Sequence, residues 1–541
     1  MTSGVTGRRR PYDETASVRQ EQPPCSGTPT GTDAAAPANM ERYGREPHGL
    51  RRGAVLKASL VAVAIATALV LAADVRALPP HPLTTGLADA LWRYPDQNAV
   101  FARMRRAGML AMEAVVSWPA IAPAEQPRDW RPGDPDDPHY DWRATDSVLR
   151  AIVAAGFQPI AVVASAPVWA RIAPNFTSSA PKPEDFAAFI RAAAERYNGQ
   201  NAGLPRVKYW RIWNEPNISH SFRPQVDPVT KQFVSPDIYR ELVNQAAPAI
   251  HNAAATNLVI AGGTAPFSDN NADVRAIDSA WGPLKFMRRL LCVDDEGRAT
   301  CGTRVAFDIW STHPYTTGGP THHAQLPYDV SLGDLPKMRA TLDAGVRARH
   351  VASTGRVRFW VTEFSWDSNA PDPCAVPTAL LKRWVSEALF RMWANGIEHV
   401  SWFKLMDESV RTSLYQSGLF FQAADVGVAK PKPFFEGFRF PFVALQQGSR
   451  VFVWARTPGG RRALITIQRT FKGGWTAIKT LRTDRYGIVQ AVLGTRPAGT
   501  FRAQLPSGER SLPFSIKAPP DHFYLPFGAT VLSPQRSDCI F

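Results

Sequence analysis

The stretch VKYWRIWNEPN, residues 207–217, is a run of strand-forming aromatic and aliphatic residues that ends in a carboxylate followed by a proline. Pro216 has no backbone N–H and cannot continue a strand, so we expect the strand to end at Glu215. A carboxylate at the end of a buried strand is costly unless it has a partner or a chemical role. The stretch therefore predicts a strand that presents Glu215 at the rim of a sheet.

Similar apolar runs recur on both sides of this stretch and alternate with segments whose apolar residues have helical spacing. Eight such alternating units predict a (β/α)8 TIM barrel with enlarged loops. An open doubly wound sheet is the alternative, but no glycine-rich phosphate loop follows the first run. The predicted strands are 83–89, 110–118, 158–166, 207–215, 258–265, 305–313, 357–365 and 399–407, and the clearest predicted helices are 186–197, 238–254, 335–351 and 379–396.

The chain of 541 residues divides into four segments by composition. Residues 1–50 are rich in Arg, Pro, Gly, Ser and Thr with few large apolar side chains, which predicts disorder. Residues 51–78 are predicted to be a signal peptide or a membrane anchor, and residues 79–442 the catalytic barrel. Residues 443–541 contain short strands with turns about every ten residues, which predicts a small C-terminal β-sandwich.

The second segment contains an apolar run, Ala58 to Ala73, preceded by basic residues. Its sixteen residues are fewer than the roughly 20 that a spanning helix needs. The small-residue cleavage pattern at 75–77 favours a secretory signal, and Met40 as the true start would give that signal its usual length. An uncut segment would anchor the chain with its basic end inside. We therefore expect a secreted protein, or an anchored one with the catalytic domain outside.

Cysteine usage agrees with export. Cys25 precedes the signal, which leaves an even number of four cysteines in the exported part. Cys292 and Cys301 bracket a loop-like stretch, so we expect them to pair, and Cys374 and Cys539 then pair by elimination. Zinc binding is the alternative, but no ligand spacing typical of zinc sites supports it.

The net charge of +15 is concentrated at the C-terminal end. Residues 443–541 carry 14 basic and 4 acidic side chains, whereas the predicted barrel is nearly neutral. The barrel therefore has no nucleic-acid signature. The basic surplus is consistent with an ordinary soluble surface or with weak contact to anionic cell-envelope polymers. Trp454 and Trp475 are expected in the core, so this domain is predicted to support the barrel.

A second predicted strand also ends in a carboxylate, Glu363 in FWVTEFSW. Active sites of TIM barrels form at the carboxyl ends of the strands, and strands four and seven lie across one barrel mouth. Glu215 and Glu363 should therefore face each other. Glycosidic bond cleavage needs such a pair, with one carboxyl protonated and the other ionised. Mutual repulsion and partial burial keep one proton on the pair near neutral pH.

WNEPN on strand four with VTEFSW on strand seven resembles the retaining glycoside hydrolases of clan A, in particular the family 39 and family 5 types. The resemblance covers roughly residues 80–440. It implies that Glu215 is the acid/base, that Asn214 holds the sugar 2-hydroxyl and that Glu363 is the nucleophile. Regular strand alternation would point Asn214 and Glu215 to opposite faces, so the motif requires an irregular backbone there.

Other strand ends extend this resemblance. His313 and Tyr315 in STHPY resemble the polar pair that contacts the nucleophile and the sugar, and Trp402 in SWFKL resembles the aromatic on which the sugar stacks. The clan often places an Arg near the end of strand two, and EAVVSW has none. Glu113 on that strand is expected to form a structural pair. Further candidate sugar platforms are Trp118, Trp169 and Trp366.

These features together predict an exported retaining glycoside hydrolase that acts on an oligo- or polysaccharide. We expect no metal and no cofactor, and we interpret His322–His323 as a solvated loop. A transglycosylase that excludes water would use the same residues, so the sequence leaves that alternative open. A non-catalytic carbohydrate-binding protein is the other alternative, and the presence of both Glu residues argues against it.

Overall fold

A computed structural model of the chain describes residues 78–268, 280–410, 413 and 415–519. The predicted disordered arm and the predicted signal or anchor, residues 1–77, lie outside the described residues, and so does the end of the chain from residue 520. Across the described ranges, we find no helix that combines the length and the apolar character needed to cross a bilayer.

Eight parallel strands form a closed barrel, as predicted. Each strand pairs with its neighbours in chain order, and the eighth closes the barrel against the first. The interior is filled by side chains such as Ile160, Ile260, Ile309 and Trp360, all at most 5% exposed. The strands are β1 Thr84–Ala88, β2 Ala111–Val115, β3 Gln158–Val163, β4 Tyr209–Ile212, β5 Leu258–Thr264, β6 Ile309–Thr312, β7 Arg358–Phe364 and β8 Ile397–Phe403.

Helices follow the strands and cover the outside of the barrel. The first long helix begins after Asp96, whose side chain accepts a hydrogen bond from the backbone of Ala99 at 3.0 Å, and it ends at the left-handed Gly108. The four clearest predicted helices are confirmed. The helices are α1 Gln97–Ala107, α2 Trp118–Ile121, α3 Arg143–Ala154, α4 Pro183–Arg196, α5 Ser235–Ala253, α6 Pro283–Leu291, α7 Leu335–Arg347, α8 Thr378–Ala394 and α9 Phe435–Arg439.

The chain after the barrel forms two antiparallel sheets, in agreement with the predicted β-sandwich. One sheet has the order β9-β10-β13 and the other the order β12-β11-β14-β15. The seven strands are β9 Phe442–Gln447, β10 Arg450–Arg456, β11 Leu464–Phe471, β12 Gly474–Arg482, β13 Ile488–Leu493, β14 Thr500–Gln504 and β15 Phe514–Ser515.

Aromatic side chains join the sandwich to the barrel. Trp454 on β10 is fully buried, and its ring centroid lies 5.6 Å from that of Phe390 and 5.7 Å from that of Trp393, both on α8. On β13, the side chain of Gln490 bonds both the N–H and the carbonyl of Leu78, at 3.0 and 2.7 Å. Because the two parts share one apolar core, we expect neither to be stable without the other.

The predicted disulfide between Cys292 and Cys301 is present, with Cα atoms 5.2 Å apart. It closes the loop that follows α6. The second predicted pair, Cys374 with Cys539, involves a residue outside the described part of the chain, so that pairing stays a prediction.

Candidate active site

The backbone at the end of β4 is irregular, as the motif required. The strand ends at Ile212, three residues before the predicted end, because Trp213 and Glu215 adopt left-handed conformations with φ of 66° and 45°. The N–H of Trp213 still bonds Val163 of β3 at 2.8 Å, and the N–H of Glu215 bonds Gly263 of β5 at 3.0 Å. Strand alternation is broken at this point, so consecutive side chains can face the same mouth.

The two predicted carboxylates meet at His313, which follows β6. Nδ1 of His313 lies 2.9 Å from Oε1 of Glu215 and 3.6 Å from Oε2 of Glu363. The nitrogen and one oxygen of each carboxylate all lie within 4.8 Å of one another. Each carboxylate side chain is 20% exposed, so each is four-fifths buried and still open to the mouth.

Tyr315 holds the second carboxylate. Its hydroxyl donates to Oε2 of Glu363 at 3.1 Å, and the residue is 2% exposed. Burial, and then the negative charge of Glu363, raise the pKa of the Tyr315 hydroxyl well above its usual range. The phenol therefore stays protonated and donates to Glu363 throughout the physiological range.

Burial also shifts the pKa values of the two groups that share the shortest contact. It raises the pKa of Glu215 to about 7, against the opposing effects of Arg211 and then His220. It lowers the pKa of His313 to about 4, and Glu363 only partly offsets this. Near neutral pH, His313 is therefore a neutral ring, while Glu215 has a pKa suited to giving and taking a proton.

Arg211 of β4 is the site residue that the sequence reasoning missed. Its side chain is 4% exposed, and Nη2 lies 3.2 Å from Oε2 of Glu113 on β2. Glu113 is thus paired structurally, as expected, with a guanidinium that comes from β4 and not from β2. A buried charge inside each of two apolar strands was the available signal, because such charges need partners.

The polar residues of the site therefore form one connected group. Arg211 donates to Oδ1 of Asn214 at 3.0 Å and lies 3.4 Å from Nε2 of His313. Asn214 and Glu215 both contact this group, which confirms that the irregular backbone turns both side chains to one side.

The predicted tryptophan platforms are placed differently. Trp402 is 1% exposed, and its ring packs against Phe434 and Phe438 of the outer layer. Its indole N–H bonds the carbonyl of Ser417 at 2.9 Å. No face of this ring is open for a sugar to stack on. Sequence reasoning missed this because the final residues of a strand alternate between the two faces, and which face is the mouth depends on the barrel's register.

The neighbouring Phe403, at the end of β8, is half-buried and packs edge-on against Tyr415, with ring centroids 5.1 Å apart. The charges of Glu363 and Glu215 act on the pKa of Tyr415, which burial raises to about 12. Tyr415 therefore lies near the two candidate carboxylates, and Phe403 packs against it.

Of the three remaining candidate tryptophans, two are buried and one is partly exposed. Trp118 and Trp366 are fully buried, so neither offers a face to a ligand. Trp118 stacks on Phe189 of α4 at 5.1 Å, and Trp366 donates to the carbonyl of Gly318 at 3.1 Å. Trp169 is only half-buried and contacts Trp118 edge-on at 5.6 Å, so it keeps some exposed ring surface.

Glu215, His313 and Glu363 also have the spacing of a metal-ligand set. Two carboxylates and an imidazole suit a divalent transition metal. The guanidinium of Arg211, 3.4 Å from the other ring nitrogen of His313, adds a fixed positive charge that opposes a bound cation. The spacing of the three side chains thus allows a metal-assisted reaction, whereas the charge of Arg211 opposes one.

No protein-family model matches the chain, and no curated protein sequence matches it. Among solved structures it is similar to a family 39 glycoside hydrolase from Bacteroides cellulosilyticus WH2, with 15% identity, a TM-score of 0.46, and 76% of this chain and 81% of that chain covered. A monomeric beta-xylosidase from Caulobacter crescentus CB15 has 16% identity, a TM-score of 0.44 and coverage of 76% and 95%. A GH30 endoxylanase from Clostridium papyrosolvens C71 has 11% identity, a TM-score of 0.41 and coverage of 77% and 95%.

Proposed function

We propose that the protein is a retaining glycoside hydrolase. The observation that carries this proposal is the facing pair at the mouth, with oxygens of Glu215 and Glu363 within 4.8 Å of each other. Retaining enzymes hold their carboxyl groups about 5–5.5 Å apart, whereas inverting enzymes leave about 6.5–9.5 Å for a water molecule. The close spacing supports double displacement.

The surroundings of the two carboxylates support distinct roles. Glu215 has a pKa raised to about 7 by burial, so it can be protonated when the substrate binds. It then protonates the leaving oxygen as the glycosidic C–O bond breaks. Glu363 accepts a hydrogen bond from Tyr315, which orients one of its carboxylate oxygens. That oxygen attacks the anomeric carbon and forms a glycosyl ester.

The second displacement reverses the roles. Glu215, now ionised, takes a proton from a water molecule as its oxygen attacks the anomeric carbon. The ester bond to Glu363 breaks and restores the carboxylate, and the sugar leaves with retained configuration. An acceptor sugar in place of water gives transglycosylation, so that alternative remains open for the same residues.

We further propose that this chemistry occurs outside the cytoplasm on an oligo- or polysaccharide. The apolar run at 58–73 and the disulfide between Cys292 and Cys301 support export, because disulfides persist in oxidising compartments. The protein is then either released or held at the membrane by its N-terminal segment.

The test is hydrolysis of a panel of aryl glycosides with NMR observation of the first product anomer. We expect at least one sugar to be released with retained configuration, at a rate that a chelator leaves unchanged. Inversion would contradict the double displacement. Activity lost to a chelator and restored by a divalent metal would favour the metal-assisted alternative. Sugar binding without turnover across the panel would favour the carbohydrate-binding alternative.

A further inference from the structure

Arg211 contacts three groups around the proposed acid/base, which are the side chains of Glu113, Asn214 and His313. The side chain is 4% exposed, so its hydrogen bonds must be made inside the protein. Its Nη2 serves Glu113 at 3.2 Å and Asn214 at 3.0 Å, and its Nη1 lies 3.4 Å from His313.

A guanidinium only donates hydrogen bonds, which decides the orientation of Asn214. The atom that faces Arg211 must be the amide oxygen, Oδ1. The NH2 group of Asn214 is therefore directed away from Arg211, and it is available to donate to a bound sugar. Without Arg211, nothing in this contact would distinguish the two ends of the amide.

The same argument decides the tautomer of His313. Since Nη1 of Arg211 can only donate, Nε2 of the neutral ring must accept. The hydroxyl of Thr362, 3.2 Å from Nε2, can donate to the same atom. The ring proton then lies on Nδ1, where it is donated to Oε1 of Glu215 at 2.9 Å. Arg211 thus acts on Glu215 through His313.

We propose that Arg211 is a positioning residue that turns the amide of Asn214 towards the sugar 2-hydroxyl and fixes the Nδ1–H tautomer of His313, with Glu113 as its counter-ion. The proposal rests on the proposed function for its substrate contact. A lysine cannot take over this role, because one ammonium on a flexible stem cannot reproduce the rigid fork that spans Asn214 and His313.

The first readout needs no substrate. In ¹⁵N NMR of the full chain, with the His313 signals assigned by His313→Gln, we expect Nδ1 to be protonated and Nε2 to be bare. Arg211→Met with Glu113→Leu removes the pair without leaving a buried unpaired charge, and it should shift the ring towards the Nε2–H tautomer. An unchanged Nδ1–H tautomer in this double variant would overturn the proposal for His313.

The second readout compares an aryl glycoside with its 2-deoxy analogue. Loss of one preorganised donor typically costs about 10²–10³-fold in rate, so the wild type should prefer the 2-hydroxy substrate by at least about 10²-fold in kcat/KM. Asn214→Ala, Arg211→Lys and the double variant should each lose at least about tenfold of this preference. A merely structural role would slow both substrates equally and leave their ratio unchanged, which would overturn the proposal for Asn214.

Lys208→Met is the matched control, because it removes a half-buried cation just before the same strand. It should keep both the tautomer and the substrate ratio. If the wild type hydrolyses no glycoside, the proposed function fails and the role at the 2-hydroxyl fails with it. The tautomer measurement still decides whether Arg211 positions His313.

Discussion

At the scale of single residues, Glu215 follows β4 and Glu363 lies near the end of β7, yet the neighbours of the two carboxylates differ. Glu215 faces a neutral imidazole, His313, whereas Glu363 accepts a hydrogen bond from a phenol, Tyr315. Burial raises the pKa of Glu215 to about 7. The proposed roles of acid/base and nucleophile therefore rest on the different partners that the fold brings to each carboxylate.

Two alanine variants should separate these roles. Glu363→Ala removes the nucleophile and should abolish turnover of every glycoside. Glu215→Ala should still be glycosylated by an aryl glycoside with a good leaving group and then stall, because the attacking water has lost its base. Azide needs no base and should restore turnover with retained configuration. On unactivated substrates the defect of Glu215→Ala should be about 10²–10⁴-fold.

The measurement is burst kinetics of both variants with and without azide, and Glu125→Ala, an exposed residue, serves as the control. Rescue of Glu363→Ala by azide with retained configuration would show that the two roles are reversed.

The raised pKa of Glu215 predicts that the rate falls on the alkaline side of the pH–rate profile. The first step needs protonated Glu215, and this proton is lost as the pH rises through about 7. We therefore expect kcat/KM on unactivated substrates to fall above about pH 7. With an activated leaving group, the rate at which the Glu215→Gln variant is glycosylated should not fall with rising pH. An alkaline limb that persists in Glu215→Gln would assign it to another group.

At the scale of elements, a buried ion pair lies in the segment that follows β8, and its lysine also bonds the segment that follows β7. Nζ of Lys432 lies 2.7 Å from Oδ1 of Asp407, and both side chains are fully buried. The ammonium also bonds the hydroxyl of Ser368 at 2.8 Å and the carbonyl of Gln416 at 2.7 Å. Because Glu363 lies on β7 and Tyr415 precedes Gln416, this pair helps to hold the segments around the mouth in place.

Lys432→Met should lower the free energy of unfolding by about 3–5 kcal/mol, because it leaves the carboxylate of Asp407 buried and uncompensated. Adding Asp407→Asn removes that charge and should recover part of the loss. Chemical denaturation of the wild type, the two single variants and the double variant measures the free energy of unfolding of each. Lys430→Met, at an exposed position two residues away, is the control and should stay within about 0.5 kcal/mol. Additive effects of the two substitutions would contradict a coupled pair.

At the scale of the whole molecule, the sandwich and the barrel share a core centred on Trp454. Trp475, which was also expected in the core, is instead half-buried, and the guanidinium of Arg502 stacks 4.0 Å from its ring centroid. β12 is an edge strand with most of its side chains exposed, so its alternation does not mark a buried face.

The two tryptophans provide a matched test of this arrangement. Trp454→Ala should destabilise barrel and sandwich together by about 3–5 kcal/mol in one cooperative unfolding transition. Trp475→Ala should cost about 1 kcal/mol or less, because its ring is already partly in water. Calorimetry distinguishes one transition from two. Deletion of residues 443–541 should prevent soluble expression, and a stable truncated barrel would show that the sandwich has another role.

The hairpin β11–β12 contains only basic charged side chains and contributes to the positive charge of the C-terminal domain. Between residues 464 and 482 there are four basic side chains and no acidic one, and Phe471 at the tip is 64% exposed. We expect weak, salt-sensitive retention of the protein on an anionic cell-envelope polymer.

Lys472→Glu with Lys479→Glu should shift elution from an immobilised anionic polymer to lower salt. Arg128→Glu with Lys231→Glu changes the same charge on exposed loops of the barrel and is the control. Equal shifts for the two pairs would show that only the net charge of the protein matters.

The sequence by itself determined the order of elements and the two catalytic candidates. Alternating periodicity predicted eight strands, and the structure has all eight in one closed barrel. The motif at Asn214 and Glu215 predicted an irregular backbone, which the left-handed Trp213 and Glu215 confirm. These features are local, because periodicity, proline and strand ends act on neighbouring residues.

Only the tertiary structure decided which partners surround each carboxylate. Arg211 and Glu113 are 98 residues apart in sequence, and their pairing depends on the register between β2, β3 and β4. Trp402 packs against the outer layer, whereas the next residue, Phe403, packs against Tyr415, and the register of β8 in the barrel decides which side each residue faces. A one-residue change of register reverses the direction of every side chain in a strand. Strands of a parallel barrel are buried on both faces, so their nearly continuous apolar sequence does not show which residues face the interior.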